Sequence, residues 1–152
     1  MENYMNDYLT IALPKGKLFT ISKNLLHRVG LSADHLSEKS RKLVIENKDL
    51  KVQFIIAKTS DVPTYVEYGA ADIGIIGKDV LLESQKDVYE ILDLGFGKCH
   101  LMMAVPQKEK RRRLLDYSYT RVATKYPHIA ESFFARQGMQ MEYIKLNGSI
   151  EL

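Results

Sequence analysis

The residues best suited to chemistry stand early in the chain, where Pro14-Lys15-Gly16-Lys17 follows the apolar run Leu9-Thr10-Ile11-Ala12-Leu13. A strand, a short turn and the start of a helix in that order leave free backbone N–H groups at a positive dipole end. Two lysines beside it suit a phosphate or a carboxylate. The spacing is not that of a Walker loop, which needs GxxxxGK[ST]. A capped turn with solvated lysines accounts for the tetrapeptide equally well. A second candidate is Ala70-Ala71-Asp72-Ile73-Gly74-Ile75-Ile76-Gly77-Lys78-Asp79. Glycines at the C-terminal end of a strand let a ligand approach the backbone, and open α/β sheets bind ligands at that end. Packing competes as an explanation, because Gly74 could simply let a helix lie close to the sheet.

Other arrangements carry less. His27, His35, His100 and His128 lack metal-ligand spacing, and the single cysteine, Cys99, has no partner nearby in sequence and excludes an internal disulfide framework. Asp87, Glu90 and Asp93 could pair as carboxylates, although solvated or capping acids are commoner. The tyrosines at 65, 68, 126 and 143 are scattered and read as packing residues. Lys108 to Arg113, five basic residues and one acidic, supplies much of the net charge of +3 and reads as a solvated turn. It lacks the aromatic interleaving or recognition helix of a nucleic-acid face.

These residues must be positioned by alternating apolar runs and helical stripes, the pattern of an α/β chain. A strand over 9–13 leads to a helix whose apolar stripe is Leu18, Ile21, Leu25, Leu26 and Val29, closed by Gly30. Runs at 42–45 and 52–57 predict a hairpin around Glu46-Asn47-Lys48-Asp49. Asp61 caps a short helix with Pro63 in its first turn and Gly69 at its end. A strand over 72–77, a helix over 78–83 and a strand over 88–94 follow. Beyond Gly95-Phe96-Gly97 a second lobe opens, with strands expected at 100–105, 121–124 and 141–146 and a helix from Pro127 to Gln137. The chain stops at Leu152 just after Asn147-Gly148-Ser149 turns toward a new helix, so the second lobe reads as incomplete. The expected organisation is a first lobe over 1–96 and a second over 97–152. With 152 residues, 45% hydrophobic and 27% charged, and no run of about 20 apolar residues, the composition is that of a soluble cytoplasmic protein rather than a membrane or secreted one.

Eight strings in order resemble one family. They are Ala12-Leu13-Pro14-Lys15-Gly16-Lys17, Ser40-Arg41-Lys42-Leu43, Asp61-Val62-Pro63-Thr64-Tyr65-Val66-Glu67 and Ala71-Asp72-Ile73-Gly74-Ile75-Ile76-Gly77-Lys78-Asp79-Val80. The others are Val88-Tyr89-Glu90-Ile91-Leu92-Asp93-Leu94, Lys98-Cys99-His100-Leu101, Ala123-Thr124-Lys125-Tyr126-Pro127 and Lys145-Leu146-Asn147-Gly148-Ser149-Ile150-Glu151-Leu152. The chain resembles the catalytic subunits of short-form ATP phosphoribosyltransferases. The resemblance implies a two-lobed, type II periplasmic-binding-protein-like architecture and a glycosyl transfer. In that reaction N1 of ATP attacks C1′ of phosphoribosyl pyrophosphate, giving phosphoribosyl-ATP and pyrophosphate, the first step of histidine biosynthesis. It further implies Mg²⁺ carried by the substrates, a homodimer within a hetero-oligomer, and a regulatory subunit resembling histidyl-tRNA synthetase.

By the same resemblance Arg41 and Lys17 are catalytic, and Lys15, Gly16, Asp72, Gly74 and Gly77 bind ATP or pyrophosphate. No protein metal ligand and no nucleic-acid or membrane partner is expected. Lys17 stands where the family has arginine, keeping the charge but losing the bidentate fork. The family's ribose-phosphate loop is expected beyond Leu152, so the 152 residues alone are expected to be inactive. An anion-sensing binding module of the same architecture, or an inactive remnant, are the competing readings.

Overall fold

The computed structural model describes residues 8–31, 33, 36–38, 40, 42–109 and 113–148, and the chain divides after Gly97 into two compact units. In the first unit, strands β1 (Leu9–Pro14), β2 (Val44–Asn47), β3 (Val52–Ala57) and β4 (Ile73–Gly74) form one sheet in the order β2-β3-β1-β4. Three of them, β3, β1 and β4, run parallel, and β2 returns antiparallel on β3 as the expected hairpin. β1 lies between β3 and β4. Apart from Leu9 it is buried throughout rather than alternating, as a parallel strand covered on both faces should be.

Helix α1 (Lys17–Arg28) follows β1. Its end is a Schellman arrangement: Gly30 has φ 81°, its N–H donates to the His27 carbonyl, and the Leu31 N–H donates to that of Leu26. The buried face is Phe19, Ser22 and Leu26, flanked by half-buried Leu18 and Leu25. Ile21 and Val29 from the expected stripe are exposed, at 38% and 63%. Several helix faces can be drawn through such a sequence, and packing on Ile11, Leu13 and Phe54 selects the one that carries the aromatic ring.

α2 (Val62–Glu67) has Pro63 in its first turn and ends at Gly69, where φ is 70°. Asp61 occupies the N-cap position, but its side chain does not cap the helix; its carboxylate accepts the Ser60 hydroxyl instead, at 2.8 Å. α3 (Lys78–Ser84) starts after Gly77. The strand expected over 72–77 is reduced to Ile73–Gly74, and 88–94 and 100–105 form no strand. Tyr89, Ile91, Leu92 and Met102 there are 95%, 81%, 71% and 86% exposed. Their apolar pattern finds no partner strand among the described residues, and a strand exists only where a ladder satisfies its backbone.

The second unit is a βαβ element: β5 (Arg121–Thr124), α4 (Pro127–Arg136) and β6 (Glu142–Lys145), the strands parallel with Arg121 opposite Glu142 and Thr124 opposite Lys145. Pro127 opens α4, and Gly138 with Met139 closes it by the same hydrogen-bond pattern as α1. Phe134 and Met139 are buried beneath it, and the Phe134 ring lies 6.5 Å from that of Tyr143. Burial, with the Glu131 charge adding to it, pushes the Tyr143 hydroxyl above its ordinary value.

Candidate functional site

β3, β1 and β4 are parallel neighbours, so their C-terminal ends share one edge of the sheet, and a helix begins just past each. Pro14 pairs with Ala57, so β1 and β3 end level, and the Lys15 N–H carries the ladder on to the Ala57 carbonyl at 2.9 Å. On the other side the Ile75 N–H donates to the Ala12 carbonyl at 3.0 Å. This edge therefore gathers Lys15-Gly16-Lys17, Lys58-Thr59-Ser60-Asp61 and Ile75-Ile76-Gly77-Lys78.

Lys15, Gly16 and Lys17 are all exposed. Gly16 caps α1 with φ 88° and ψ −151°, a conformation that L residues with a side chain essentially do not adopt. No atom lies within 4 Å of where its Cβ would be, so the requirement for glycine is conformational and the space above it is open. The first turn of α1 carries no acidic residue and no side-chain cap. Its positive end is thus available to an anion held between the lysines. At present the Gly16 N–H donates to the Glu38 carboxylate, at 2.7 Å.

The glycines of the second motif part company. A Cβ on Gly74 would stand 2.6 Å from Val62 Cγ1 and 3.1 Å from Val66 Cγ2, so Gly74 is there to let α2 lie on the sheet. Gly77 has ordinary backbone angles, φ −73° and ψ 145°, and precedes α3 at the shared edge. The adjoining Lys78 ammonium pairs with Glu90.

Asp72 stands elsewhere. It directly precedes β4 and lies beside Thr10, near the start of β1 and away from the end occupied by Pro14. Its carboxylate accepts the Thr10 N–H at 2.7 Å, while its own N–H donates to the Thr10 carbonyl at 3.0 Å. Gln53 Nε2 completes this clasp on the Thr10 hydroxyl at 2.6 Å. Asp72 locks the start of the central strand, and the structure does not bring it to Lys15 and Lys17. Arg41 lies outside the described residues.

Lys58 had no expected role, yet it directly follows Ala57, the residue that takes the Lys15 N–H, and it is exposed. The signal was the parallel between Ala57 closing β3 and Pro14 closing β1, visible only once the two strands are known to be neighbours. The edge thus carries Lys15, Lys17 and Lys58, with Lys78 paired to Glu90 and the Glu38 carboxylate on the Gly16 N–H. Among the described residues no group of three or more His, Cys, Asp or Glu could hold a metal ion.

A family model described as HisG, ATP phosphoribosyltransferase, matches residues 58–152. An ATP phosphoribosyltransferase of Syntrophotalea carbinolica is 52% identical over 149 residues, which cover 97% of this chain and 68% of that protein. One of Desulfitobacterium hafniense is 52% identical over 153 residues, 96% of this chain and 69% of its own length. The chain thus spans a little over two thirds of these relatives. Among solved structures, the ATP phosphoribosyl transferase (HisG:HisZ) complex from Thermotoga maritima matches with a TM-score of 0.66 at 27% identity, over 95% of this chain and 67% of that one.

Proposed function

We infer the work of this site from one premise: the chain belongs to the ATP phosphoribosyltransferase family, and its α/β fold is that of the type II periplasmic-binding-protein-like proteins. The reaction is the first step of histidine biosynthesis, in which N1 of ATP displaces pyrophosphate from C1′ of phosphoribosyl pyrophosphate. As the C1′–O bond breaks, positive charge develops on the ribosyl centre and negative charge on the departing pyrophosphate. The chain's task is to bring two polyphosphates together and to stabilise the leaving anion.

The observation that carries the site assignment is the open Gly16 turn, with backbone N–H groups and two exposed lysines at the positive end of α1. Lys15 and Lys17 would neutralise phosphate oxygens, Gly16 would donate its N–H, and Lys58 would add a third cation from the neighbouring strand end. Gly77 would border the same edge, and Arg41 would contact the polyphosphates. Gly74 would serve the site indirectly, by seating α2 on the sheet. Lysines offer no oxygen donors for Mg²⁺, so the ion would arrive on the polyphosphates. We propose in addition that a regulatory subunit resembling histidyl-tRNA synthetase associates with homodimers of this chain. The named HisG:HisZ partnership of the Thermotoga relative supports that reading. A cytoplasmic setting is proposed on the nature of the substrates. The lobe boundary near residues 96–97 is proposed as the family's division between domains.

Phosphoribosyl-ATP formation from ATP and phosphoribosyl pyrophosphate, with the regulatory subunit present, tests the site. In a protein carrying this sequence, Lys15→Ala and Lys17→Ala should each lower the rate by about 10- to 100-fold. Rates equal to the parent in both would remove the turn from the active site.

A further inference from the structure

The anion site at Gly16 already holds an anion of the chain's own. Glu38 is 22 residues away in sequence, and its carboxylate takes the Gly16 N–H at 2.7 Å, within the range of a charge-assisted hydrogen bond. The residues that carry it are anchored. Ala33 and Leu36 are buried in the core shared by β1, α1 and β3, the Leu36 N–H donates to the Ala33 carbonyl, and Lys23 Nζ from α1 donates to the Leu36 carbonyl at 3.3 Å. Glu38 is two residues past that anchor, so its reach to the turn is set by the core. The first turn of α1, which has no acid of its own, receives this one from outside the helix.

We propose that Glu38 is a built-in competitor for the anion turn, an autoinhibitory carboxylate that a substrate phosphate must displace. The inference rests on the reading of the Lys15-Gly16-Lys17 turn as a phosphate site. One N–H cannot serve two acceptors at full strength, and a carboxylate left beside a phosphate oxygen repels it. Binding of the polyphosphate therefore expels the Glu38 carboxylate from the Gly16 N–H. The empty site keeps its N–H satisfied, and weak anions are held off by a charge already in place.

Calorimetric titration of the 152-residue chain with inorganic pyrophosphate at fixed salt tests this. Glu38→Gln removes the charge and should tighten pyrophosphate binding about five- to tenfold, the difference between a charged and a neutral acceptor. Glu38→Asp keeps the net charge but shortens the arm, and should tighten binding by about twofold or more. Glu46→Gln, exposed on β2, makes the same net-charge change as Glu38→Gln and should leave affinity unaltered. If Glu38→Gln behaves like Glu46→Gln, or if it weakens binding, the competitor role is wrong. If neither parent nor variants bind and Lys15→Ala changes nothing, the phosphate reading of the turn falls and takes this inference with it. A parent whose binding is lost in Lys15→Ala but untouched in Glu38→Gln and Glu38→Asp overturns the inference alone.

Discussion

Two glycines in this chain are required for different physical reasons, and substitution separates them. At Gly16 the backbone itself excludes a side chain, so Gly16→Ala should cost about 1–3 kcal/mol of stability, however open the surroundings. At Gly74 the backbone is permissive and the obstacle is the pair Val62 and Val66, so alanine forces α2 off the sheet at a similar cost of about 1–3 kcal/mol. The diagnostic is rescue: adding Val62→Ala should recover part of the Gly74→Ala loss and none of the Gly16→Ala loss, measured by urea denaturation. Equal recovery in both would show that the space argument at Gly74 is wrong. Asp72 makes the same point about acids. The family resemblance placed it among the ATP- or pyrophosphate-binding residues, whereas in the structure its carboxylate accepts the Thr10 N–H at the start of β1.

At the level of elements, α2 is tied to the chain after α3 by a small ionic clamp. Glu67 accepts Lys86 Nζ at 2.7 Å and the Asp87 N–H at 3.1 Å, and Lys86 also lies 5.5 Å from the Tyr68 ring centre. The Lys86 hydrogen bond, helped by the Asp87 N–H, holds the Glu67 carboxyl below its ordinary value of 4.5. Glu67 in turn raises the Lys86 ammonium above 10.5. A lowered carboxyl pKa contributes stability above the unfolded value and loses it as pH falls through the folded one. A raised ammonium pKa contributes below its unfolded value and loses it as pH rises through the folded one. The clamp is therefore complete between about pH 4.5 and pH 10.5. Glu67→Gln should melt below the parent at neutral pH, and the gap should close as the solution is acidified past the carboxyl range. A gap independent of pH would assign the effect to shape rather than charge. Expectation and structure differ most at 88–94 and 100–105, whose β-rich composition could not by itself supply a neighbouring strand.

At the largest scale each unit keeps its own core: in the first it lies where β1 is covered on both faces, and the exposed segment after α3 adds little to it, while the second buries Phe134 and Met139. Leu13, fully buried, should cost about 2–5 kcal/mol on truncation to alanine. Ile91→Ser, at a position 81% exposed, should stay within about 0.5 kcal/mol. Comparable losses in thermal denaturation would mean that the segment is packed in solution. The same burial map shows how much of the site could be read in advance. Pro14-Lys15-Gly16-Lys17 was legible because a strand end, a glycine and a helix start are local features. Lys58 and Glu38 were not, since each comes to this edge only through tertiary contacts, Lys58 by strand adjacency and Glu38, 22 residues from Gly16, through the core anchor that precedes it.

Sequence alone determined the family, the alternation of strands and helices and the cationic turn, because these depend on residue types at short range and on motifs in a fixed order. Tertiary structure decided which face of α1 is buried, which glycine serves packing, that Asp72 clasps a strand start, and that the Glu38 carboxylate takes the Gly16 N–H. Those outcomes depend on which segments become neighbours, and neighbourhood is set by the whole sheet at once rather than by any window of residues.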